Sequence, residues 1–126
     1  MTMSRTKLLE TLNQLERTRR RLLKSLTQQE ELAAGTVSVV YRKCGNPRCH
    51  CARTGEGHPQ TLFLFKDEEE GRRRCKLIRK ADEDRMQQAG ERYREFREQM
   101  KQLRAIDRQE KQILMALMQM RAIRYE

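Results

Sequence analysis

Apolar residues recur every three or four positions at the start of the chain. Leu8, Leu12, Leu15, Leu22 and Leu26 follow a 4–3 spacing, Leu9 and Leu23 widen the stripe, and Arg19 alone breaks it. That period places the leucines on one side of an α-helix. Ser4 offers an N-cap and Gly35, after Ala33-Ala34, a C-cap, so the pattern predicts a helix over residues 5–33. The stem of Arg19 can snorkel out of the stripe to keep its charge in water.

From Thr36 the period drops to two. Val37, Val39 and Tyr41 alternate with Ser38, Val40 and Arg42, the pattern of a half-buried strand ending near Lys43. Residues 61–66 read as a second strand, the polar run 67–71 as a turn, and residues 73–79 as a third strand. Three short strands form a marginal sheet unless something staples them.

A second helical pattern opens at Asp82 and runs to about Arg124. Met86, Ala89, Tyr93, Phe96, Met100 and Leu103 keep a 3–4 alternation. The next apolar residue, Ile106, comes three on instead of four, and Ile113, Leu117 and Met120 follow. The lost residue resembles a stammer in a coiled coil. Gly90 lowers helix propensity near the start by about 1 kcal/mol relative to Ala, which predicts a frayed or bent first stretch. Residues 113–118 are apolar nearly all round, which predicts an oligomer interface on this helix.

The expected fold is therefore mainly α with a small β insert. Residues 1–34 form a long N-terminal amphipathic helix, residues 35–80 a stapled three-stranded antiparallel module, and residues 81–126 a long coiled-coil-like helix. Composition fits this plan. Only 37% of the 126 residues are hydrophobic, 5% are aromatic and there is no Trp, too little for a thick core but enough for helices burying one stripe each. No apolar run is long enough to span a bilayer, and no apolar stretch follows the basic N-terminus, so a cytoplasmic protein without membrane association is expected.

The formal charge is +10, and it is concentrated. It amounts to +3 over residues 1–34, +6 over 35–80 and +1 over 81–126. The basic residues Arg42, Lys43, Arg48, Arg53, Arg72, Arg73, Arg74, Lys76, Arg79 and Lys80 sit in the middle segment and are the candidate contacts to a nucleic-acid backbone. Arg17, Arg19, Arg20 and Arg21 form a further cluster, read as a solvated helix face.

All four cysteines fall in the same segment, at Cys44, Cys49, Cys51 and Cys75, and His58 follows Cys51. Clustered thiols without a secretory signal point to metal more than to disulfides. Gly45, Asn46 and Pro47 are turn formers that let the chain bring Cys44 back towards Cys49. Zinc takes four N or S ligands, and Cys44, Cys49 and Cys51 supply three. His58 is preferred as the fourth, Cys75 is the alternative and His50, lying between two ligands, comes third. Both histidines belong to the candidate metal string, which leaves no separate base for a cysteine nucleophile. The run Glu68 to Glu70 reads as a solvated turn, so a non-enzymatic protein is expected.

The run Cys44-Gly45-Asn46-Pro47-Arg48-Cys49-His50-Cys51-Ala52 is flanked by Gly35-Thr36-Val37 to Tyr41 and by Gly55-Glu56-Gly57-His58. With the hairpin and long helix that follow, it resembles an uncharacterised prokaryotic family of small zinc-ribbon-like proteins over roughly residues 35–105. Members are often found beside transposases and recombinases of mobile elements. The family pattern matches Cys44, Cys49, Cys51 and His58 and does not call for Cys75. The resemblance implies a mobile-element setting and no activity. The combined expectation is a zinc-binding accessory protein that binds nucleic acid, DNA rather than RNA. It would form a homo-oligomer through its C-terminal helix, with a transposase or recombinase as its protein partner. The rival expectation is a coiled-coil adaptor whose zinc knot docks on a protein.

Overall fold

A computed structural model describes residues 3–126. The elements run α1 (Arg5–Leu26), β1 (Gly35–Arg42), α2 (Cys51–Thr54), β2 (His58–Lys66), β3 (Arg73–Leu77), a 3-10 turn (Lys80–Asp82) and α3 (Glu83–Arg121). The architecture is thus a long N-terminal helix, a three-stranded antiparallel sheet and a long C-terminal helix. Among the described residues no helix is long and apolar enough to cross a membrane. Two compact units are present, residues 30–95 and residues 1–29 together with 96–126.

In the helical unit, Ser4 caps α1 as expected, its hydroxyl accepting the Lys7 amide at 3.2 Å. The helix ends at Leu26, short of the expected residue 33. Thr27 closes it, with both its amide and its hydroxyl donating to the Leu23 carbonyl at 3.1 and 2.8 Å. Residues 96–121 of α3 pair antiparallel with α1. Gln99 donates to the Ser25 hydroxyl at 2.8 Å, and Arg19, further back along α1, reaches forward to Asp107 and Glu110.

Buried or half-buried positions on α3 follow Phe96, Gln99, Leu103, Ile106, Glu110, Ile113 and Leu117, every three or four residues without a skip. The gap that resembles a stammer is therefore occupied. Glu110 stands in the seam, and the residue facing it is Arg19, the one break in the leucine stripe of α1. The two irregularities are one polar contact between helices. Leu8, Leu22, Ile106 and Ile113 bury almost completely along the two helices, each worth roughly 1.5–3 kcal/mol of transfer free energy.

In the other unit, β2 is the central strand. Gly35 to Arg42 pair with Phe65 down to His58, and Leu62 to Lys66 pair with Leu77 down to Arg73. Gly35 is not a helix cap but the first residue of β1. A Cβ there would lie 2.2 Å from the Leu64 carbonyl oxygen and 2.9 Å from the Phe63 ring, so only glycine permits this approach. Ala33 is buried just before it and donates its amide to the Ala89 carbonyl at 3.0 Å, tying residues 30–34 to the start of α3. Gly90 remains inside an unbroken helix rather than fraying it, and it faces Val37 of β1. Asp67 organises the β2–β3 turn: its side chain accepts the Glu69 amide at 3.0 Å and its carbonyl the Gly71 amide at 2.7 Å.

Candidate metal centre

The sheet register delivers the first and last donors to one place. Arg42, the last residue of β1, faces His58, the first of β2, and Cys44 follows Arg42 by two residues. A close approach at Gly57 holds this end of the ladder, because a Cβ there would fall within 2.4–2.6 Å of the Arg42 backbone.

Between these ends the chain folds into a tight knot. The Asn46 side chain accepts the Arg48 amide at 3.0 Å, and its carbonyl accepts the Cys49 amide at 3.0 Å. The amides of Ala52, Arg53 and Thr54 then donate to the Cys49 and His50 carbonyls, forming the single turn α2 with Cys51 at its start. Cys51 is 1% exposed, the most deeply buried side chain described.

Local turns thereby gather the donors. Cys44 and Cys51 lie 3.6 Å apart at their Sγ atoms, Cys49 Sγ and His58 Nε2 lie 3.0 Å apart, and all four ligand atoms fall within 4.8 Å of one another. Tetrahedral zinc at its usual bond length separates two sulfurs by about 3.8 Å. The donor set fits such an ion in kind, number and spacing. Cys44, Cys49, Cys51 and His58 can hold a metal ion.

The surroundings of Cys49 and Cys51 shift the two thiols in opposite directions. The Cys51 backbone amide, then the His58 ring and the Cys51 thiol, hold Cys49 well below the ordinary thiol range, at about 6. Cys51 goes the other way. A backbone interaction with Cys44 pulls it down, but burial and the neighbouring thiols Cys49 and Cys44 push it up.

The other two candidates lie outside this group. Cys75 is exposed on β3, opposite Leu64. His50 stands beside the cluster, its ring edge-on to His58 at 5.4 Å between centroids and its Nδ1 3.8 Å from Cys49 Sγ.

The basic residues divide into two sets. Arg42, Lys43, Arg48 and Arg53 are exposed on the knot and its approach, and among the described residues none of them forms an ion pair. The hairpin arginines are largely engaged. Arg74 pairs with Asp67 at 3.0 Å and Glu70 at 3.9 Å, Arg72 with Glu70 at 3.7 Å, and Arg79 with Asp82 at 3.4 Å. Lys76 lies 6.0 Å from the Phe65 ring centroid, and Arg73 and Lys80 are exposed without an ion pair among the described residues. Sequence reasoning grouped all ten. The Asp67–Arg74 pairing does not show in the sequence, where Asp67 only opens the polar turn 67–71. The α2 turn was also missed, since four residues are too few to show a period.

A family model described as a domain of unknown function (DUF6788) matches residues 12–88, which include the whole knot and sheet. No curated protein and no solved structure matches the chain.

Proposed function

The chain belongs to the DUF6788 family of unknown function, and we propose that it is a non-enzymatic zinc-binding protein that holds nucleic acid, DNA before RNA, on the basic surface of its metal knot. Zinc is the ion because three thiolates and an imidazole form a common structural zinc set, and four protein donors leave no open position for chemistry. When bound, the ion would supply cohesion to a small sheet rather than activation of a substrate.

One observation carries the nucleic-acid reading. Arg42, Lys43, Arg48 and Arg53 share a short segment with the donors and, among the described residues, form no ion pair. Exposed, unpaired cations suit phosphates, and backbone contact is the mode proposed.

The test is salt-titrated binding to duplex DNA and to RNA by wild type and by the Arg42→Glu/Lys43→Glu and Arg48→Glu/Arg53→Glu variants. Each lost phosphate contact should lower the slope of log K against log salt by about 0.9 on duplex DNA. Arg72→Ala and Arg74→Ala should change it less. Wild type without affinity at low salt, or knot variants that bind as wild type does, would overturn the reading.

A second reading, a protein adaptor, is favoured by a different feature. Leu114, Met115, Met118 and Met120 are exposed on α3 at 38–56%, an apolar surface of the kind that self-association covers. A homo-oligomer through this helix is compatible with the first reading. The mobile-element setting implied by the sequence resemblance makes a transposase or recombinase the first protein partner to try, in a cytoplasmic context. Sedimentation of wild type against Leu114→Glu/Met118→Glu decides the oligomer. A monomeric wild type would remove it.

A further inference from the structure

We infer that Tyr41 is a base-stacking platform, so that the metal knot prefers single-stranded to duplex nucleic acid. The inference rests on the nucleic-acid reading above and names the form of nucleic acid that site takes.

Tyr41 is 69% exposed although it lies on a paired strand. Its face of β1 begins packed, with Val37 half-buried beneath Gly90, and opens outwards through Val39 at 45% to Tyr41. Among the described residues the phenol makes no hydrogen bond and no ring contact. Its backbone is nonetheless fixed, since Tyr41 pairs with Pro59 in the ladder just before the donor-bearing ends at Arg42 and His58. A ring with two side-chain torsions on a fixed backbone is a low-cost contact surface.

The surroundings select the ligand. Lys43 comes two residues after Tyr41, Arg42 leaves the strand on its other face, Arg48 and Arg53 lie in the knot that the strand enters, and all four are unpaired among the described residues. An open aromatic ring on a strand that leads into a run of unpaired cations suits an unstacked base together with its flanking phosphates. In a duplex the bases are stacked on one another and cannot reach the ring. The other aromatic pair is placed differently. Phe63 and Phe65 stack on each other at 4.9 Å, and the groove they line mixes carboxylates with cations, of which Arg85 and Arg79 are paired with Glu31 and Asp82.

The test compares oligothymidylate of about a dozen nucleotides, its duplex with oligoadenylate, and oligouridylate, using full-length zinc-loaded protein at low salt. The variants are Tyr41→Ala and Tyr41→Phe, with metal content and circular dichroism confirming that each is folded. Wild type should bind the single strands more tightly than the duplex. Tyr41→Ala should lose on the order of tenfold on single strands and little on duplex, while Tyr41→Phe keeps its affinity. The chain has three Tyr and no Trp, so stacking should also quench the intrinsic tyrosine emission, and that component should vanish in Tyr41→Phe. If wild type binds but prefers duplex, or Tyr41→Ala binds thymidylate as wild type does, the stacking inference fails and the phosphate reading stands. If Tyr41→Phe weakens as much as Tyr41→Ala, the ring is not the contact and the inference fails. If wild type binds none of the three probes, both fail. Tightest binding to oligouridylate or to oligothymidylate would support the inference equally and identify RNA or DNA as the source of the strand.

Discussion

His58 Nε2 lies 3.0 Å from Cys49 Sγ across a loop of eight intervening residues, because the β1–β2 register sets His58 opposite Arg42 while two local turns carry Cys49 back to the same end. The cluster and the ladder therefore depend on each other. The ladder supplies Cys44 and His58, and the knot closes the open end of the sheet.

The ligand set follows from this geometry. Cys44→Ser, Cys51→Ser and His58→Ala should each surrender metal to a chelator that wild type resists, while Cys75→Ser and His50→Ala should retain a full equivalent. Elemental analysis after dialysis against the chelator checks it. Full retention by His58→Ala with loss in Cys75→Ser would move the fourth ligand to β3.

The helix pair rests on an unusual central contact. Arg19 donates to Glu110 at 2.9 Å and to Asp107, whose carboxylate is the stronger influence raising the guanidinium pKa further, and Glu110 is only 16% exposed. Arg19→Ala should cost about 1–3 kcal/mol in chemical denaturation, as expected when a charged hydrogen-bonding partner is removed. Arg19→Leu with Glu110→Leu should recover most of that loss by completing the apolar seam. Equal losses in the single and double variants would show that the pairing is not between these two residues.

Much of this architecture is legible from residues alone, and the failures have physical causes. Period-two alternation and the turn formers marked the strands, and the cysteine spacing marked the knot. The first helix was overextended because Gln28 to Leu32 are good helix formers, whereas the chain needs Gly35 flat against Phe63 and Leu64. The second strand begins at His58, before the expected residue 61, although proline is disfavoured in a central strand and Pro59 lies within it. Yet β3 pairs with β2 only from Leu62 onwards, so residues 58–60 lie at an edge that tolerates proline. The stammer arose from following Met100 instead of Gln99 and from treating Glu110 as solvent-facing. A polar residue in a seam cannot be recognised until its partner on the other helix is known.

Residues 30–34 are held to α3 by Arg85, which donates to both Glu31 carboxylate oxygens at 2.7 Å. Arg85 holds the Glu31 carboxyl below its usual range. A carboxyl depressed in the folded state adds stability above its unfolded pKa and loses it as the pH falls through the folded value. The stability gap between wild type and Arg85→Ala should therefore be present at neutral pH and shrink on acidification through the carboxylate range. Both partners of the pair are exposed, so the gap should be small and weaken with salt. A gap that widens in acid would contradict the pairing.

The account turns on the ion as the staple of the sheet, and hydrogen exchange at the β2 amides, Thr61 to Phe65, before and after complete chelation tests this most directly. Loss of protection there, with the helical stretches around Leu22 and Ile106 still protected, is the predicted result. Equal protection of β2 in the chelated protein would mean that the sheet stands without metal and would contradict the account.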